Sequence, residues 1–215
     1  MTNLDRWIDA TLPLGPETPL FPGDPPIEIV QEMTLEQGDP VNLRRYRLSG
    51  HYATHVDAPR HLFADGADVA SLDPARFAGS AWVAEVTTET AISAEDLRKQ
   101  MPDGEQFHGV FLKTAASRAW RKGNFRNFPV PYLEPKAAQF LVDRSVRLVG
   151  TDSLSVDPPE SHDLPSHRIL LGAGVPIIEG LDLSGVPPGF VHFVALPVRW
   201  VGADGAPVRI FIRPA

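Results

Sequence analysis

The chain has 215 residues, 43% of them hydrophobic and 22% charged, the make-up of an ordinary globular protein long enough to bury a sizeable core. A formal net charge of −7 leaves no basic block to neutralise phosphates and argues against a nucleic-acid footprint, while the lack of cysteine excludes disulfides and thiolate metal sites. The opening MTNLDRWIDATLPLG does not read as a secretion signal, and no segment approaches the ~20 apolar residues of a membrane span, so a cytoplasmic protein without membrane partners is expected.

The 22 prolines are scattered along the chain, which predicts many turns and short elements within one domain spanning residues 1–215. WIDATLPL (7–14) alternates as a strand and is closed by the turn region GPETPLFPGDPP. IEIVQEMTL (27–35) predicts a second strand, and NLRRYRLSGHYATHVDAP (42–59) a looser extended stretch. WVAEVTT (82–88) is a short strand. SAEDLRKQM (93–101) is a helix capped by Ser93, with Asp96 three residues on as the capping-box acid. GVFLKTA (109–115) reads as a buried strand. LEPKAAQFLVDR (133–144) is the clearest helix, with Ala137, Phe140 and Leu141 on one face and Pro135 in its first turn. VRLVGTD (146–152) and VPIIEGL (175–181) are short apolar strands, and FVHFVALPVRW (190–200) with PVRIFIRP (207–214) forms a closing pair. Strands outnumber helices, yet helices fall between some of them, which predicts an α/β domain with a strand-rich core. The basic runs Arg44–Arg47 and Arg118–Arg126 read as solvated faces.

The segment HYATHVDAPRH, residues 51–61, holds three of the seven histidines and an aspartate. On a helix, Asp57 would lie about 200° from His55 around the axis. On an extended strand, His51, His55 and Asp57 share parity and point to one side, and Pro59 disfavours helical geometry at Ala58. Two imidazoles and a carboxylate on one face suit zinc, manganese or iron. His61 lies past the proline and is free for another role. Downstream, Glu179 ends the apolar run VPII, where a carboxylate is costly unless paired or bound to a cation. His167 opens the apolar stretch HRILL, a natural place for an inward-facing ligand. His162, in the polar PESHDLP, reads as an exposed loop histidine, and His108 and His192 read as structural.

With these residues in place, the chain resembles the cyclase family of metal-dependent hydrolases, which includes bacterial kynurenine formamidase (arylformamidase) and isatin hydrolase. HYATHVDAPRH matches the family's H-x-G-T-H-x-D-x-P-x-H segment at every histidine, the aspartate and the proline. PLFPGD, DGADVASL, VGTDSLSVDP, the His167–Glu179 segment and GADGAPVRIFIR follow in the family's order. The resemblance implies the swivelling β/β/α fold and a homo-oligomer, a dimer or larger. It also implies one divalent metal on His51, His55 and Asp57, with Asp57 bridging to a second on His167 and Glu179. By the same resemblance His61 is the catalytic acid/base, and Phe21 lies where formamidases set an aromatic, often tryptophan, against the substrate ring. Ala53 departs from the motif, standing where the family has glycine.

The implied activity is metal-assisted hydrolysis of an amide, N-formylkynurenine above all, with zinc or alternatively manganese and two ions per subunit. Ring opening of a cyclic amide such as isatin is the alternative within enzymes. A metal-binding protein of the same fold without catalysis is the alternative outside them. Retention of His61, which neither ligation nor folding needs, favours a catalyst.

Overall fold

The computed structural model describes residues 7–122 and 130–215, except for the side chain of Lys122. In chain order the elements are β1 (Ile8–Asp9), β2 (Glu28–Met33), β3 (Leu43–Arg47), β4 (His55–Asp57), β5 (Ala78–Glu85), β6 (Ala91–Ile92), α1 (Ala94–Gln100), β7 (Gly109–Lys113) and α2 (Ala116–Lys122). They continue with β8 (Tyr132–Leu133), α3 (Pro135–Asp143), β9 (Leu148–Thr151), α4 (Pro165–Gly172), β10 (Ile177–Glu179), β11 (Gly189–Pro197) and β12 (Gly205–Pro214). Strands β5, β7, β9 and β10 run parallel, with helices in the connections between them. This is the α/β arrangement with a strand-rich core that the sequence predicts.

The main sheet runs β1-β12-β11-β5-β7-β9-β10-β4, and β4 also pairs with β12, so seven strands close into a barrel-like ring. Strand parity sorts the core. Val56 of β4, Phe111 of β7, Leu148 of β9, Ile178 of β10 and Phe193 of β11 point inward and fill the barrel. Their neighbours Val110, Leu112, Val149 and Ile177 point outward and are covered by Leu97 of α1, Leu141 of α3 and Leu170 of α4. β4 and β10 are short, yet each is buried along its whole length, because β4 is flanked by two strands and β10 lies under α4.

Several local expectations hold in detail. Ser93 and Asp96 form the full capping box at α1, and Pro135 is the first residue of α3. β11 and β12 pair antiparallel from Val191↔Pro214 to Pro197↔Val208. The expected strand over 7–14 is confined to Ile8–Asp9 and a single bridge at Thr11, since Pro13 removes a ladder donor. The extended stretch over 42–59 is two strands separated by a turn. Helices α2 and α4 were not anticipated: each is short, seven and eight residues, and α4 starts on Pro165 inside a polar loop signal. Of the basic run Arg118–Arg126, the first part lies on α2 and 123–126 lies outside the described residues. The run Arg44–Arg47 is on an exposed hairpin, where Arg45 pairs with Glu32 at 2.6 Å and Arg47 with Glu28 at 3.7 Å.

Gly150 sits in β9 against Phe111 and Leu181. A methyl there would lie 2.6 Å from Phe111 Cδ1 and 2.8 Å from Leu181 Cδ1, both side chains fully buried. Gly150→Ala should therefore cost about 1–3 kcal/mol of unfolding free energy through overpacking, measured by urea denaturation. A change below about 0.5 kcal/mol would contradict this packing.

Candidate metal centre

The register of β4 against β10 sets Glu179 opposite His55 and Ile177 opposite Asp57. His55 and Asp57 share the parity opposite to Val56, so both point out of the barrel, toward the face covered by α4. His167, in the first turn of α4, descends onto the same spot. The result is a buried cluster: His55, Asp57, His167 and Glu179 are each at most 5% exposed.

His51 reaches the cluster by a route other than strand parity. It lies in the turn before β4, not on the strand. The chain reverses through Ala53, whose φ of +58° is left-handed, a conformation costing an L-residue roughly 1–2 kcal/mol. A glycine, as the family motif has, would take it without strain. The His51 ring then rests on Gly205, where a Cβ would sit 2.6 Å from His51 Cε1.

Each of the three imidazoles turns one nitrogen inward and anchors the other outside. His51 Nδ1 is 2.7 Å from Asp57 Oδ1, and its Nε2 is 3.0 Å from Asp204 Oδ2. His55 Nε2 lies 3.3 Å from Asp57 Oδ1 and 3.5 Å from Glu179 Oε2, while its Nδ1 is bonded to the Ala53 carbonyl at 3.1 Å. His167 Nε2 lies 3.2 Å from Glu179 Oε1 and 3.4 Å from Asp57 Oδ2, and its Nδ1 is bonded to Asp157 at 2.8 Å. Asp157 also accepts the backbone N–H of Ser166 and of His167, which fixes the start of α4. Glu179 Oε1 accepts the Val156 N–H at 2.8 Å.

Burial opposes the charge on every one of these groups, and their mutual attraction outweighs it. Burial lowers the pKa of His55, but Asp57 and Glu179 raise it to about 10. His167 is likewise desolvated, yet Glu179, Asp157 and Asp57 hold it well above the usual imidazole range. Asp57 is held far below the ordinary carboxylate range by His55, His167 and His51, and Glu179 is lowered by His167 and His55 against burial and the nearby Asp57. Two buried carboxylates thus demand positive charge. Without a cation, only protons on the imidazoles can supply it.

Two donor groups can hold a metal here, His51–His55–Asp57 and Asp57–His167–Glu179, with the donor atoms in each within 4.8 Å of one another. They share Asp57. A third possible group, His51–His61–Asp204, lies at the outer edge. Asp57 Oδ2 is buried and accepts no hydrogen bond, an orphaned acceptor whose obvious partner is a cation. The donors are nitrogen and oxygen only, which fits a divalent ion of the zinc or manganese kind.

His61 is the last residue of the 3-10 turn that opens at Pro59 and is part-exposed beside the cluster. Its ring centre is 4.3 Å from that of His51 and 5.9 Å from that of His167. Phe21 is half-buried and packs on the apolar group of Leu12, Tyr52, Ala53, Trp120 and Leu154, which shares Tyr52 and Ala53 with the turn carrying His51. His162 is exposed, and His108 and His192 lie elsewhere, against Phe193 and Phe190 respectively. Asp157 and Asp204 were missed. Both stand in segments the family resemblance had aligned, but neither shows a spacing that ties it to a histidine.

The Cyclase family model, described as "Putative cyclase", matches residues 8–158. The chain belongs to this family. Kynurenine formamidase of Bacillus cytotoxicus is 36% identical over 211 residues, 97% of this chain and 98% of that protein. Kynurenine formamidase of Salinibacter ruber is 37% identical over 209 residues, 97% of each. Among solved structures, a "predicted metal-dependent hydrolase" from Bacillus stearothermophilus superposes with a TM-score of 0.81 at 27% identity, covering 96% of this chain and 97% of that one. Isatin hydrolase A from Labrenzia aggregata superposes at 0.82 and 22% identity, over 96% and 93% of the two chains, and shares the fold.

Because the imidazoles are driven to hold protons, a cation must displace them, and affinity should fall as pH falls. Zinc affinity measured by chelator competition should drop at least about tenfold per pH unit from pH 8 to pH 6, with proton release in calorimetry. A flat profile would contradict the cluster's charge balance. Gly205→Ala, which alters no candidate ligand, should displace His51 and weaken zinc binding at least about tenfold, with thermal unfolding as the control. An unchanged affinity would remove His51 from the centre.

Proposed function

We propose that this chain is a metal-dependent amidohydrolase that cleaves the formyl amide of an N-formyl arylamine, converting N-formylkynurenine to kynurenine and formate. The observation that carries the reading is the pair of donor groups sharing the buried Asp57, set beside an aromatic-lined wall. Relatives named kynurenine formamidase, aligned over 97% of the chain, support the same substrate. In this reading His51, His55 and Asp57 hold one divalent ion and Asp57, His167 and Glu179 a second, zinc or alternatively manganese. The bound pair would supply a hydroxide near neutral pH and polarise the formyl carbonyl.

The remaining work falls to side chains. As the C–N bond breaks, the aryl nitrogen must gain a proton, or the amine cannot leave. His61 stands beside His51 without belonging to either of the two groups that share Asp57, and an imidazole both takes and gives a proton near neutrality. Phe21 and the apolar group around it would seat the aryl ring. The whole of residues 1–215 would act as one domain. The described residues contain no helix long and apolar enough to cross a membrane, and a cytoplasmic location is part of the proposal. So is a homodimer or larger assembly: the hairpin β2–β3 stands apart from the main sheet and exposes Ile29, Leu43 and Tyr46, and a lone two-stranded hairpin is marginally stable.

The test is turnover of N-formylkynurenine and of isatin by the zinc- and manganese-loaded protein, with metal analysis. N-formylkynurenine is the expected substrate; preference for isatin would move the reading to cyclic-amide ring opening, and turnover of neither would sink it. His61→Ala should lower kcat by about 10²–10⁴-fold while the metal content stays unchanged. A protein that only binds metal would show no turnover to lose.

A further inference from the structure

The corner between β11 and β12 carries a carboxylate that the two donor groups around Asp57 leave unused. Asp204 precedes Gly205, the first residue of β12, and its carbonyl accepts the Ala58 N–H at 2.9 Å. That bond ties the corner to the end of β4, since Gly205 pairs with Asp57. The corner is also closed from the other side, because a Cβ on Gly50 would lie 2.6 Å from the Gly205 carbonyl. Backbone packing therefore fixes where the Asp204 side chain starts, although the side chain is 53% exposed.

One oxygen of that side chain meets two imidazoles. Asp204 Oδ2 is 3.0 Å from His51 Nε2 and 3.5 Å from His61 Nδ1, and the two rings are 4.3 Å apart at a tilt of 43°. The His51 contact uses the nitrogen that faces away from Asp57, so its N–H donates outward while the other nitrogen stays directed at the cluster. This is the arrangement in which an outer carboxylate fixes the tautomer and ring angle of a metal-binding histidine.

We propose that Asp204 is a positioning residue that orients His51 as a metal ligand and His61 as the acid/base at once, tying the metal centre to the proton donor through a single carboxylate. This rests on the ligand and acid/base roles proposed above for those two histidines. Asp204 touches neither substrate nor metal in this scheme. Its loss would leave both histidines present but free to rotate, with the effect falling on the chemical step more than on substrate binding.

The test compares Asp204→Asn, Asp204→Ala and Asp204→Glu with the unaltered protein. Cobalt(II), whose visible spectrum reports ligand geometry, serves as the metal probe, and kcat and KM for N-formylkynurenine are measured in parallel. Asp204→Asn and Asp204→Ala should weaken cobalt binding and lower kcat by about 10–100-fold each, with KM within about twofold and the metal count unchanged. Asp204→Glu should restore a large part of both. In a His61→Ala background, Asp204→Asn should lower kcat far less than it does alone, because the two act through one group.

Unchanged cobalt affinity and kcat in Asp204→Asn would overturn the proposal. So would loss of one bound metal per subunit, since Asp204 would then be a ligand in the group with His51 and His61. Full additivity with His61→Ala would overturn the link to His61. An unaltered protein that turns over neither substrate overturns the proposed function instead, while the cobalt titration still decides the His51 contact.

Discussion

Two carboxylates, Asp57 and Glu179, are buried side by side on adjacent antiparallel strands, and much of the architecture answers to that placement. An unpaired buried carboxylate costs several kcal/mol, and two together repel as well. Three imidazoles and a backbone N–H from Val156 surround them, and among the described residues no lysine or arginine pairs with either. Imidazole is the side chain that can either carry the balancing proton or give it up to a cation. A guanidinium would neutralise the pair permanently and close the site to metal. The choice of neutraliser is thus what keeps the centre available for chemistry.

Placing that pair requires a strand that is short, buried on both edges and fixed in register. β4 has three residues, yet it is bonded to β10 on one edge and to the start of β12 on the other. Closure of the ring does this: had β12 begun only after Pro207, β4 would lose its second partner. A slip of one residue would turn Val56 outward and send His55 and Asp57 into the apolar barrel. The hydrophobic filling of the barrel therefore enforces the geometry of the donor cluster, because a one-residue slip cannot keep Val56 in and His55 and Asp57 out.

Local chemistry made part of this legible in advance. The capping box at α1, the proline start of α3 and the alternating pair β11–β12 follow from nearest-neighbour rules and stand as expected. The grouping of His51, His55 and Asp57 was also read from the segment itself, though for a reason half right. His55 and Asp57 do share a strand face, whereas His51 arrives through a left-handed turn that no alternation pattern encodes. The roles of His167 and Glu179 came from resemblance, because nothing in their own spacing links a helix start to a strand end across eleven residues. Asp157 and Asp204 stayed hidden for the same reason. Their partners are fixed by tertiary closure, at sequence separations of 10 and 153 residues.

The outer partners explain the one strained residue at the centre. His51 and His167 each have an aspartate behind them, and His55 has none. Its outward nitrogen is met by the Ala53 carbonyl, and that carbonyl points there because residue 53 is left-handed. The same carbonyl lies where a side chain at position 180 would sit, 2.4 Å from a Cβ, so Gly180 must follow Glu179 directly. The turn, the glycine and the histidine form one device: backbone strain at residue 53 substitutes for a third aspartate. A carboxylate there would add a negative charge to a cluster already short of positive ones, whereas a carbonyl fixes the tautomer without it. The family's glycine would meet that geometry without strain, and alanine bears roughly 1–2 kcal/mol for it, offset by about 0.8 kcal/mol from its buried methyl. The net cost is then about 1 kcal/mol or less, small enough for alanine to hold the left-handed turn beside the candidate donor groups.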